Sequence, residues 1–191
     1  MPENSEFQFR GINHLALVSS DMARTVDFYT NVLGMPLIKT LEIPGGAQHF
    51  FFDCGNDTSL AFFWFPQAPA AVPGISAAAN MPGSGPIVSA HGSMNHVAFD
   101  VSPEQFDQYV DKLKAKGVEV SMVLNHDDSE TTIARELHPG VFVRSVYFRD
   151  PDGVVLEFAA WTRTFGPQDV LVAPADADGH RVATPATPVS A

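Results

Sequence analysis

Asn13-His14 opens the apolar run INHLALVS (12–19), and Asn95-His96 recurs in MNHVAFDV (94–101). A histidine inside a hydrophobic strand needs a partner for each ring nitrogen. One such residue is most often a satisfied core histidine; two at equivalent places point to a shared task. A third chemically capable group, Glu157, stands among large apolar residues in VVLEFAAW (154–161). Side chains alternate across a strand. His14, Ala16 and Val18 therefore share one face, against Leu15 and Leu17. By the same rule His96, Ala98 and Asp100 oppose Val97 and Phe99, and Glu157 opposes Leu156 and Phe158. With the larger apolar side chains packed on helices, both histidines and the glutamate face the concave sides of their sheets. A carboxylate there is costly if unpaired. Two imidazoles and one carboxylate aimed into one cavity are satisfied most simply by a divalent metal with open coordination positions. This donor set suits non-haem Fe(II) and its oxygen chemistry; Mn(II), Zn(II) or Co(II) fit the same ligands.

The elements that must position these groups repeat along the chain. After the first strand, Ser20 or Asp21 can cap a helix over MARTVDFYTNVL, where Met22, Val26, Tyr29 and Leu33 recur at helical spacing and Gly34 supplies the stop. Three strand-like runs follow: PLIKTLEI, AQHFFFD and TSLAFFWF. The second copy has the same order. Ser102-Pro103 reads as an N-cap with proline at the first helical position, and Gln105 offers a capping box. Phe106, Val110 and Leu113 form the buried face before Gly117. The strands VEVSMVL, FVRSVYFRD and VVLEFAAW complete it, with the turn DPDG between the last two. His14 to His96 and Ser20 to Ser102 are each 82 residues apart, and Gly34 to Gly117 is 83. The expected fold is α+β, with two βαβββ modules that must pair because each alone leaves one sheet face bare. The expected boundaries are an N-terminal extension at 1–9, module 1 at 10–66, an Ala/Pro/Gly-rich linker at 67–92, module 2 at 93–162 and a surface or flexible tail at 163–191.

The bulk properties narrow the partners. The 191 residues carry a formal net charge of −11, which argues against nucleic acid and anionic lipid surfaces. The lone Cys54 forms no internal disulfide, and no apolar signal core or membrane span is evident, so a cytoplasmic location is expected.

The runs NHLALVSSDMARTVDFYTNVLGM, NHVAFDV and FRDPDGVVLEF resemble the vicinal oxygen chelate superfamily, over roughly residues 10–162. That superfamily includes glyoxalase I, fosfomycin-resistance proteins, bleomycin-binding proteins and type I extradiol dioxygenases. The resemblance implies that the two modules form an open barrel around one metal cavity, with His14, His96 and Glu157 as ligands. A fourth family ligand position falls at Ala61, which weakens the glyoxalase reading. The spacing of His138, Tyr147 and Glu157 is similar to that of the dioxygenases, which implies substrate-contacting roles for His138 and Tyr147. The acid-base histidine of those enzymes is replaced by Asp57-Thr58, and His49 is only a conceivable substitute. Phe50, Phe52, Phe63 and Phe65 offer aromatic walls for a flat ring, depending on which face each turns inward.

The resulting expectation is an Fe(II)-dependent extradiol-type dioxygenase, acting on a small catechol-like substrate with O2 and compatible with a homodimer. A glyoxalase-like isomerase or lyase, and a non-catalytic protein that sequesters a drug-like molecule, are the alternatives.

Overall fold

The computed structural model describes residues 12–166 together with 169, 172, 173, 178 and 180. Residues 11–163 make one compact unit. The expectations for residues 1–9 and for most of the tail fall outside the described residues.

Module 1 runs β1 (His14–Ser19), α1 (Met22–Asp27), a π-helical turn (Phe28–Val32), β2 (Leu37–Ile43), β3 (Ala47–Gly55) and β4 (Thr58–Trp64). Its sheet has the order β1-β4-β3-β2, with β1 and β4 parallel. Module 2 runs β5 (Val97–Asp100), α2 (Phe106–Ala115), β6 (Leu124–His126), β7 (Ile133–Ala134), β8 (Val143–Arg149) and β9 (Val155–Trp161). Its sheet has the order β5-β9-β8-β6-β7, again with the first and last principal strands parallel. The expected two-module α+β architecture is present, and the sheets are not closed into a barrel. Among the described residues no helix is long and apolar enough to cross a membrane.

Local chemistry explains the helix ends. Asp21 caps α1 by accepting from the Arg24 amide at 3.0 Å. Gly34 and Gly117 both adopt φ +76°, the left-handed geometry that lets each chain turn away from its helix. The capping box expected at α2 does not form. Ser102 Oγ donates to the Gln105 side chain instead of capping a backbone amide, and the helix begins at Phe106. The strand expected over VEVSMVL is also interrupted. Val120 bridges Phe148, and then Ser121 bonds Tyr147 twice: its amide donates to the Tyr147 carbonyl, and its hydroxyl accepts from the Tyr147 amide. A side chain thus replaces a ladder carbonyl, and regular pairing resumes only at Leu124.

The helix-side faces of the two sheets meet in one core. Met22, Tyr29, Phe52 and Phe62 of module 1 cluster with Leu113, Phe148 and Leu156 of module 2. The turn DPDG sits at this junction. Buried Asp150 accepts from the Asp152 and Val154 amides and from the Tyr29 hydroxyl, at 2.9, 2.8 and 3.2 Å. Burial pushes its carboxyl up to about 6 despite those bonds. Asp152 accepts from Ser20 and Arg24. The linker is irregular but packed: Ala78 and Met81 lie on Leu124, Tyr147 and Val155. Arg149 secures it by donating to the Ala79 carbonyl at 2.9 Å.

Candidate metal centre

Strand register places each candidate. In module 1 the paired rows are His14–Ser59–Asp53, Ala16–Ala61–Phe51–Lys39 and Val18–Phe63–His49–Leu41. In module 2 they are Ala98–Glu157–Tyr147 and Asp100–Ala159–Ser145–Leu124. Ala16 pairs with Ala61 as Ala98 pairs with Glu157, so Ala61 occupies the module 1 counterpart of the Glu157 position. Phe51 is likewise the counterpart of Tyr147.

His96 and Glu157 come together: Nε2 stands 3.0 Å from Oε2, with the carboxylate side chain 7% exposed and the imidazole 34%. The His96 ring meets Tyr147 edge to face at 5.7 Å. Burial pushes the Glu157 carboxyl up, but the hydrogen bond and charge of His96, with help from Ser145 and Tyr147, bring it below the ordinary carboxylate range. The Tyr147 hydroxyl is pushed up to about 12, first by burial and then by the Glu157 charge. Tyr147 is therefore a neutral hydrogen-bonding group at physiological pH.

His14 stands on the open face of module 1, beside Phe51 at 5.7 Å and hydrogen-bonded to Asn13 at 2.8 Å. Among the described residues no three His, Cys, Asp or Glu side chains gather as a metal site within the chain. One chain thus brings together an imidazole–carboxylate pair in module 2, with His14 apart from it in module 1. An imidazole nitrogen and a carboxylate oxygen aimed at one another suit a borderline divalent cation. His138 lies in a loop, where its Nε2 pairs with Asp127 at 3.1 Å and its Nδ1 accepts from the Gly140 amide. His49 stacks on Phe63 at 3.6 Å and leaves Nε2 buried without a partner. Burial, and then proximity to His14, hold its imidazole below the usual histidine range.

The aromatic residues divide between the faces. Phe63 shares the His14 face and stacks with Phe65. Phe52 is wholly buried in the core, and Phe50 packs against that core. Phe51 and His49, which precede them in alternation, line the His14 face instead.

The profile of the Glyoxalase/Bleomycin resistance protein/Dioxygenase superfamily matches residues 11–158. The chain belongs to this superfamily. It is 29% identical over 153 residues to the metallothiol transferase FosB of Lysinibacillus sphaericus, covering 80% of this chain and 84% of that one. A glyoxalase family protein from Enterococcus faecalis shares the fold at TM-score 0.55 and 25% identity, covering 79% of this chain and 98% of that one. So does the fosfomycin resistance protein FosX of Listeria monocytogenes, at TM-score 0.51 and 21% identity, over 81% of this chain and 95% of that one. That FosX structure is a complex with Mn(II) and 1S,2S-dihydroxypropylphosphonic acid. Of these, FosB is a metallothiol transferase and FosX a fosfomycin resistance protein. The likeness to FosB points to a transferase and overturns the expectation of an extradiol dioxygenase, and with it the case for catechols and O2.

The sequence reading noted two residues without giving them a role. Asn13 and Asn95 each place Oδ1 against Nδ1 of the histidine that follows, at 2.8 and 3.0 Å. The signal was the repeated Asn-His pair itself.

Proposed function

We propose that the protein is a divalent-metal-dependent transferase that joins a thiol to a small, oxygen-rich electrophile. The observation that carries this reading is the 3.0 Å approach of His96 Nε2 to Glu157 Oε2, in a chain related to a metallothiol transferase. His96 and Glu157 hold the metal, with His14 as third ligand. Because His14 lies on an exposed sheet face, beside half-exposed Val18, the set is completed in a homodimer, with His14 of one copy meeting His96 and Glu157 of another. Mn(II) is the first metal to test; Fe(II), Zn(II) and Co(II) fit the same donors. When bound, the ion supplies Lewis-acid polarisation of a chelated substrate oxygen.

The remaining work falls to the protein. Tyr147 keeps its proton and donates a hydrogen bond to a substrate oxygen. Ala78 and Met81 pack on the Tyr147 side of the site and exclude water. Thiol addition forms one carbon–sulfur bond and breaks one carbon–oxygen bond, and the thiol proton ends on the departing oxygen, so no redox partner is required.

The test is to incubate Mn(II)-loaded protein with fosfomycin and other oxygen-chelating electrophiles against a panel of small thiols. Thiol loss and a product of combined mass are expected. Thiol-independent addition of water would make the protein a hydrolase, and no turnover with any pair would overturn the reading.

A further inference from the structure

An imidazole can carry its single neutral-state proton on either nitrogen, and the nitrogen left bare is the one that can bind a metal. The choice is set by whatever the other nitrogen faces. At His96 the facing atom is Asn95 Oδ1, 3.0 Å from Nδ1. An asparagine amide can be turned either way, so this contact alone fixes nothing. A second pair of contacts decides the orientation. Asn95 Nδ2 lies 2.7 Å from the Ile87 carbonyl oxygen and 3.2 Å from Ser89 Oγ. A carbonyl oxygen only accepts, so the NH2 end of the amide must point to Ile87. The Oδ1 end then faces His96 as an acceptor, and Nδ1 must be the protonated nitrogen. Nε2 is left to face Glu157 Oε2.

We infer that Asn95, held by the Ile87 carbonyl of the linker, is a positioning residue that fixes His96 as the Nδ1–H tautomer and presents Nε2 to a metal. This inference rests on the metal reading above. It gives the linker a role beyond joining modules, since residues 87 and 89 set the state of a ligand at residue 96. Asn13 makes the equivalent contact to His14 on an exposed strand end, and among the described residues no Nδ2 contact is seen there. Control at His14 is accordingly weaker.

The experiment uses the full chain labelled with 15N-histidine. Long-range 1H–15N correlation spectra identify which nitrogen of each ring carries hydrogen or metal, and His96→Gln assigns the His96 signals. In the Zn(II)-loaded protein His96 should show Nδ1–H, with Nε2 on the metal. Asn95→Leu should weaken Zn(II) binding about 10–100-fold, the usual effect of losing an outer partner of a ligating histidine. Asn95→Asp retains an acceptor and should keep the tautomer. Zn(II)-loaded wild-type His96 protonated at Nε2, or Asn95→Leu with Zn(II) affinity unchanged, would overturn the inference. The wild-type spectrum decides the tautomer even if a variant fails to fold. A wild-type protein that takes up no metal would instead overturn the metal reading itself.

Discussion

The two modules set the same ring geometry and then diverge in chemistry. In each, Asn precedes His, and the histidine meets an aromatic ring edge to face at 5.7 Å. The ring is Phe51 in module 1 and Tyr147 in module 2, and the position paired with it across the strands is Ala61 or Glu157. Module 1 thus has the imidazole, with apolar groups at the two positions where module 2 carries oxygen donors. In the proposed site it would contribute one ligand and an apolar wall, while module 2 contributes the charge. Two modules that each kept a carboxylate would supply four protein ligands. The proposed set of three would leave more of the metal for substrate.

That asymmetry can be broken at several strengths. Glu157→Ala should have the largest effect: removal of the only carboxylate donor should weaken Mn(II) binding by about a thousandfold or more, roughly 4 kcal/mol, in a calorimetric titration. A thermal unfolding curve close to wild type would confirm that the loss is local. Tyr147→Phe converts module 2 into the module 1 pattern. Turnover should fall about 10–100-fold, and metal binding should weaken with it, because the Tyr147 hydroxyl is a hydrogen-bond partner of Glu157. The mirror change, Phe51→Tyr, should leave turnover within about twofold.

A third comparison concerns the junction between modules. Asp150 has a folded pKa of about 6, raised by burial above the ordinary value for aspartate. A raised value means that the folded state holds the proton more tightly than the unfolded chain. Its contribution is therefore full below the unfolded pKa and is lost as pH rises through about 6. Asp150→Asn stays uncharged, so its stability relative to wild type should rise between pH 4 and pH 7 by on the order of 2 kcal/mol, measured by urea unfolding. The smallest expected effect is at His49, whose Nε2 is buried without a partner between aromatic rings. His49→Phe should preserve the stack and stabilise the fold by about 1 kcal/mol, because an unsatisfied polar atom is removed.

Much of this was legible in the amino-acid order. The apolar residues of α2 recur at helical spacing, and Phe106, Val110 and Leu113 are all buried. Alternation placed Leu15 and Leu17 against the core and His14 away from it. Periodicity failed where a side chain took over a backbone role, as Ser121 does beside Tyr147. It also failed in HFFFD, because three consecutive phenylalanines carry no phase: Phe51 joined the His14 face, while Phe50 and Phe52 went to the core side. DPDG read as a turn, and its two aspartates turn out to tie the modules together, a long-range contact that no local spacing encodes. Strand alternation likewise gives the face on which a ligand lies but not which other face it meets. Hence His96 and Glu157 were brought together within one sheet, while the partner of His14 depends on how sheets, or copies, pair.

The central claim is that His14 of one copy completes the site formed by His96 and Glu157 of another. Two variants, His14→Ala and Glu157→Ala, each damage every site when present alone. A dimer of one chain of each type has one intact site and one doubly damaged site. The two should be co-expressed with different affinity tags, purified through both tags and titrated with Mn(II) by electron paramagnetic resonance. The account predicts one tightly bound Mn(II) per mixed dimer and little for either variant alone. A mixed dimer that binds no better than its parents would contradict it.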